Sequence, residues 1–192
     1  MEYKEDLRIQ KTRRDLRNSI INLLKKKPIE KITVIEICNE AMVNRITFYK
    51  YYEDKYQLLN DTFYEIKDTI VSQLPSKNKF NSITEASNYW AKLTTVVLTY
   101  IDDNIDLFQA IKKNSNNDNI TKIISNITEE SFTELFSQLS KIHKIEFPIN
   151  FASAFLSGGF YAIINYWLDH TSTISKNDVI KLLNNSKDKI IN

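Results

Sequence analysis

The stretch Thr33-Val34-Ile35-Glu36-Ile37-Cys38-Asn39-Glu40-Ala41-Met42-Val43-Asn44-Arg45-Ile46-Thr47-Phe48-Tyr49-Lys50-Tyr51-Tyr52-Glu53-Asp54-Lys55 holds two short helical segments separated by a tight turn. Thr33 and Glu36 have the spacing of a capping box, in which the hydroxyl caps the helix start and the carboxylate reaches back to the first amide. Ile37, Cys38 and Ala41 continue a short apolar face, which breaks at Met42-Val43-Asn44. Asn44 is a favoured N-cap for the second helix. In that helix Phe48 and Tyr52 stand at i, i+4 and share the face predicted to be buried, which turns Arg45, Ile46, Tyr49 and Lys50 outward.

Two short helices joined by a tight turn, the second with a polar outer face, have the form of a helix-turn-helix. A helix fits the width of the major groove of DNA, and its N-terminal residues reach base edges. Here those residues are Arg45, Ile46 and Thr47, following the cap Asn44. Tyr49 and Tyr51 place hydroxyls within reach of phosphates, with Lys50 between them. Lys55 opens the next helix, after the cap Asp54, and adds its charge to backbone amides that face a phosphate. Thr33, at another helix start, is placed to do the same.

Residues 32–38 and 43–59, with the run Thr47-Phe48-Tyr49-x-Tyr51-Tyr52-x-x-Lys55-x-x-Leu58-Leu59, resemble the DNA-binding domain of the TetR family of bacterial transcriptional regulators. The resemblance covers about residues 8–60. It implies a three-helix reader with Thr47, Tyr49, Tyr51 and Lys55 on phosphates and Arg45 and Ile46 near bases. The sequence departs from the family pattern at three places. Met42 stands in the turn where many members have Gly, Lys27-Pro28 where a loop Gly is common, and Tyr52 where Phe is commoner. Near the other end, Phe155-Leu156-Ser157-Gly158-Gly159-Phe160 and then Tyr166-Trp167-Leu168 are similar to one C-terminal branch of the family. That branch includes the activator of a dihydroxyacetone-kinase operon, which works through a protein partner. The resemblance therefore implies a small-molecule effector or, as the alternative, a DNA-bound activator regulated by a partner protein.

The rest of the chain agrees with a helical reading. Two glycines and three prolines in 192 residues leave few turns for a sheet, so the expected class is all-α. Helices are predicted over 6–27, 55–74, 83–101, 104–113, 119–142, 148–170 and 175–191, with a linker at 76–82. The expected organisation is a helix-turn-helix DNA-binding domain at 1–54 and a helical bundle for regulation and dimerisation at 55–192. Residues 1–55 carry a net charge of +4 and include all five arginines, whereas residues 56–192 carry −2. Arginine forks onto phosphates and guanine edges better than lysine does. No signal-peptide pattern and no apolar run of about 18 residues is present, so the expected location is the cytoplasm, away from membranes. The single Cys38 fits a reducing compartment.

In the segment 148–170 apolar residues occupy more than one face. Such a helix is buried on more than one side, one against its own bundle and one against a second subunit. Phe155, Gly159, Ala162 and Tyr166, with Val179, Leu182, Leu183 and Ile190 of the last helix, are the expected contacts of a homodimer built on a four-helix interface. Trp90, Tyr100, Phe108, Phe132, Phe136 and Tyr161 are the aromatic candidates for lining a pocket between helices. No metal or cofactor is expected: His143 and His170 are 27 positions apart and one cysteine forms no pair. The only glycine pair lies inside an apolar helix, so no phosphate-binding loop exists. Asp102, Asp103 and Asp106 read as helix-capping residues, and no catalytic site is expected. The function these readings support is an effector-controlled repressor that binds a near-palindromic operator as a dimer.

Overall fold

The computed structural model describes residues 7–75, 80–113 and 118–191, with side chains described as far as 185 in the last helix. Most of the predicted linker at 76–82 and the Ile190 side chain therefore lie outside the described residues. The chain is all-helical. Among the described residues the α-helices are α1 (Leu7–Leu24), α2 (Val34–Glu40), α3 (Arg45–Tyr51), α4 (Lys55–Ser72), α5 (Ile83–Asp103), α6 (Ile105–Lys113), α7 (Asp118–Leu139), α8 (Ile149–Asp169) and α9 (Lys176–Ile191), with a short 3-10 turn at Ile29–Lys31. Local chemistry sets most helix starts. Side chains of Thr33, Asn44, Asp54 and Ser82 each accept from a backbone N–H of the first turn. Ser175 and Asp178 form a reciprocal pair at the start of α9, the Ser175 N–H donating to Asp178 Oδ2 at 3.1 Å and the Asp178 N–H to Ser175 Oγ at 3.2 Å.

Three apolar cores hold the helices. The first joins α1–α4 around Leu16, Ile20, Ile37, Phe48 and Leu58, and continues into α6 and α7 through Leu107, Ile111 and Ile120. It thus crosses position 54/55, because the N-terminal part of α4 packs on α1–α3 while α6 and α7 close the same core from the far side. The second core joins α5, α8 and α9, and the third joins α5, α7 and α8. Val179 and Leu183 belong to the second, at 4% exposure each, packed with Leu98, Ile101, Ile164 and Trp167. The Trp90 indole N–H also donates to the Leu183 carbonyl at 3.3 Å, and Lys176 pairs with Asp102 at 3.0 Å. This corrects the expectation for α9. Its Val179 and Leu183 stripe covers α5 of the same chain, so these residues are not available to a second subunit. Leu182, one position round the helix, is 54% exposed.

Candidate nucleic-acid interface and inner cavity

The turn between α2 and α3 is built from backbone hydrogen bonds. Val43 N–H donates to the Cys38 carbonyl at 2.9 Å and Met42 N–H to the Asn39 carbonyl at 3.2 Å, the paired bonds of a Schellman ending. Met42 takes φ 54°, the left-handed region that glycine occupies without cost. Asn44 then restarts the chain, its Oδ1 accepting from Ile46 N–H at 2.9 Å. Phe48 and Tyr52 are buried, at 0% and 3% exposure, and anchor α3 to the first core. The opposite face is open: Arg45, Ile46, Tyr49 and Lys50 are exposed, while Thr47 and Tyr51 are half-buried. Ile46 is 80% exposed, far from the usual state of a large apolar side chain on a packed helix. Tyr49 is braced edge-on against Phe48, with ring centroids 5.4 Å apart, and the Lys50 ammonium lies 5.9 Å above the Tyr51 ring.

Behind this face lies a polar latch that sequence reasoning missed. Tyr52 donates its hydroxyl proton to Asp61 Oδ2 at 2.6 Å. Arg13 and Arg17 of α1 reach the two Asp61 oxygens at 3.2 and 3.1 Å, and Arg17 also meets Glu65 at 3.4 Å. α1, the end of α3 and α4 are thereby fixed to one carboxylate. Burial, followed by the hydrogen bond to Asp61, pushes the Tyr52 phenol up to about 12. Tyrosine in place of the commoner phenylalanine supplies this hydroxyl. Arg13 and Arg17 therefore serve the inside of the domain, and the basic excess of residues 1–55 overstates what faces outward.

Two predicted phosphate ligands are engaged within the chain. Both hydrogen-bonding groups of Thr33 are taken by Glu36: its N–H and hydroxyl each donate to Oε2 at 2.9 Å, and its oxygen accepts from Glu36 N–H at 3.3 Å. Lys27 and the Thr33 donors hold the Glu36 carboxyl at about 2, well below its usual range. The Lys55 ammonium donates to the carbonyls of Ile32 at 2.8 Å and Glu30 at 3.0 Å. Lys55 thus clamps the turn before α2 onto the start of α4, and it positions the reader. In this structure the Thr33 donors face the Glu36 carboxylate and the Lys55 ammonium faces carbonyls left open at the end of the 3-10 turn.

The second site is a cavity of ≈220 Å³ lined by α4, α5, α6, α7 and α8. Trp90, Phe108, Phe132 and Tyr161 of the aromatic candidates line it, together with the polar groups of Lys67, Lys112 and Gln138. Tyr100 and Phe136 do not. Tyr100 packs edge-on against Phe108 at 6.3 Å on the side of the first core, and Phe136 is buried in the third core beside Ala86 and Leu139. An aromatic pattern alone cannot separate cavity wall from packed core.

On the outside of α8 an apolar stripe lies open. Phe151, Phe155 and Tyr166 are 62, 71 and 60% exposed, and Phe147 just before the helix is 62% exposed. Gly158, Gly159 and Ala162 are exposed between them, and a Cβ added at either glycine meets nothing within 4 Å. These glycines are therefore not required by packing within the chain.

Residues 88–188 match the TetR family described as the transcriptional regulator C-terminal region. The chain belongs to the TetR family of transcriptional regulators. Its fold is shared by a TetR regulator from Streptococcus agalactiae, at 23% identity and a TM-score of 0.65, with 95% of this chain and 96% of that one covered. It is shared by a TetR-family regulator from Syntrophomonas wolfei, at 14% identity and a TM-score of 0.70, with 95% of each chain covered. It is also shared by the dihydroxyacetone kinase operon activator DhaS, at 15% identity and a TM-score of 0.58, with 94% of this chain and 98% of that one covered. No curated protein matches the chain by sequence. TetR proteins are transcription regulators, and among the described residues no His, Cys, Asp and Glu group is arranged to hold a metal. No described helix of this TetR chain is long and apolar enough to cross a membrane.

Proposed function

We propose that this TetR chain is an effector-controlled repressor that binds a near-palindromic duplex operator as a homodimer. The observation that carries the reading is the outer face of α3, where Arg45, Ile46, Tyr49 and Lys50 are exposed on a helix whose other side is anchored by Phe48 and Tyr52. A helix held this rigidly and bare on one side suits the major groove. In this reading Arg45 and Ile46 meet base edges. Thr47, Tyr49, Lys50 and Tyr51 meet phosphates, Asn44 fixes the helix start, and Thr33 and Lys55 hold the frame. The reader spans residues 1–54, and the regulatory and dimerisation part spans 55–192.

The open stripe of α8, including Phe155, Gly159, Ala162 and Tyr166, supports the homodimer. Exposed aromatics on a contiguous face mark an interaction surface, and a symmetric pair covers it with a copy of itself. The pair sets two α3 helices about one DNA turn, roughly 34–36 Å, or a multiple of it apart. Effector control follows from α4. Its first turns carry Leu58 and Leu59 into the reader's core, and its later turns carry Ile66 and Ile70 into the cavity wall. A ligand that favours one position of α4 favours one spacing of the readers, with a coupling of ~1–3 kcal/mol. The apolar cavity between the helices favours a small-molecule effector over control by a protein partner.

The test is fluorescence anisotropy of a labelled duplex at rising salt. Binding should weaken linearly on a log–log plot, with Lys50→Ala lowering the slope by about one contact. Failure of the wild-type chain to bind any duplex at low salt would refute the reading.

A further inference from the structure

We propose that the effector is an extended aliphatic molecule with an uncharged hydroxyl head, lying along α7 with the head at Gln138. This deepens the effector reading above and rests on it.

Shape is the first ground. Ile120 and Gln138 of α7 both line the cavity and are 18 residues apart, about 27 Å at the helical rise. A lining that runs this far along one helix suits an extended chain. The cavity wall is apolar along most of its course, with Ile66, Ile124, Leu135, Phe132 and Phe160 among its members.

The head is assigned by hydrogen bonding and charge. Gln138 lines the channel, and its Oε1 is shielded from solvent with no hydrogen-bond partner among the described residues. A buried acceptor of this kind calls for a donor, and a hydroxyl supplies one. A carboxylate supplies none. It would also meet Glu134, one helical turn earlier on the same wall, at the cost of like-charge repulsion. The two cavity lysines offer an anion no better seat. The Lys67 ammonium is 3.6 Å from Glu130, and Lys112 is paired with Asp169 and the Asn165 carbonyl. An anionic head there meets lysines whose charge is already opposed by Glu130 and Asp169, whereas a hydroxyl at Gln138 satisfies an acceptor that has no partner among the described residues.

The test titrates the full chain with tetradecanol, tetradecanoate and methyl tetradecanoate, three heads on one chain. Trp90 lines the channel and reports occupancy by its fluorescence, and Trp167, packed in the second core, is separated from it with a Trp90→Phe variant. Tetradecanol should saturate at one per chain and bind about tenfold or more tighter than the other two. Gln138→Leu, which keeps the volume and removes the amide, should bring the alcohol and the ester to within about twofold while both still bind. Ser131→Phe, which narrows the channel midway, should abolish binding of all three. Equal affinity for the three heads, tightest binding of tetradecanoate, or no binding of any of them would overturn the proposal. A labelled duplex in parallel separates the two levels. A chain that binds the duplex but none of the three aliphatic ligands defeats this inference and leaves the regulator standing; alcohol binding by a chain that ignores duplexes does the reverse.

Discussion

Phe155→Ala probes the dimer through a residue that has no partner within its own chain's core. Phe155 is 71% exposed on the open face of α8. A phenylalanine buries of the order of 200 Å², so about 140 Å² awaits a partner, worth up to about 3.5 kcal/mol at 25 cal/mol per Å². Alanine retains roughly a third of that, leaving a loss of about 2 kcal/mol per copy. Two-fold symmetry counts the residue twice, which gives about 4 kcal/mol as an upper bound. Interfaces rarely convert area at the full coefficient, and half of this total is a realistic floor. The dimer dissociation constant should therefore rise by about thirtyfold to a thousandfold. Sedimentation equilibrium across protein concentrations measures it, and far-UV circular dichroism of the variant should be unchanged because the side chain is exposed in the isolated chain. A dissociation constant unchanged to within about threefold, with the fold intact, would show that this face of α8 is not where copies meet.

Three further outcomes concern the reader. Met42→Gly relieves a left-handed residue at φ 54°, partly offset by the greater freedom of glycine in the unfolded chain, and should raise stability by about 0.5–1 kcal/mol in urea titration. Asp61→Ala leaves Arg13, Arg17 and the Tyr52 hydroxyl without their shared acceptor, a site about a quarter exposed, and should cost about 2–3 kcal/mol by the same titration. Glu36 has its carboxyl lowered from 4.5 to about 2, so its contribution is full above pH 4.5 and is lost as pH falls towards 2; Glu36→Gln should remove that slope from an acid-unfolding curve followed by circular dichroism.

The α2–α3 pair was legible because its determinants are local. Capping by Thr33 and Asn44, the i, i+4 pair Phe48 and Tyr52, and the turn at Met42 each depend on residues within a few positions. The latch on Asp61 was not legible, because Arg13 and Arg17 lie 48 and 44 positions away and only the folded chain brings them to one carboxylate. The engagement of Lys55 by the Glu30 and Ile32 carbonyls was hidden for the same reason. On α9 the apolar spacing of Val179 and Leu183 was read correctly as a contact stripe, but spacing does not name the neighbour, and here it is α5 of the same chain. On α8 the periodicity was more telling. Ile164, Trp167 and Leu168 fill the inner face, and Phe155 and Tyr166 are left over on the other. In the cavity, aromatic residues were the visible signal, whereas Gln138, Lys67 and Lys112 carry chemistry that composition does not mark.

In the proposed complex α3 enters the major groove with Arg45 at base edges. Selection of duplexes from a random pool by the wild-type chain and by Arg45→Ala tests it most directly. The account predicts two inverted half-sites about one helical turn, or a multiple of it, apart for the wild type, with base preference relaxed in the variant at one position of each half-site. Enrichment of no sequence by the wild type, or an identical motif from the two proteins, would contradict it.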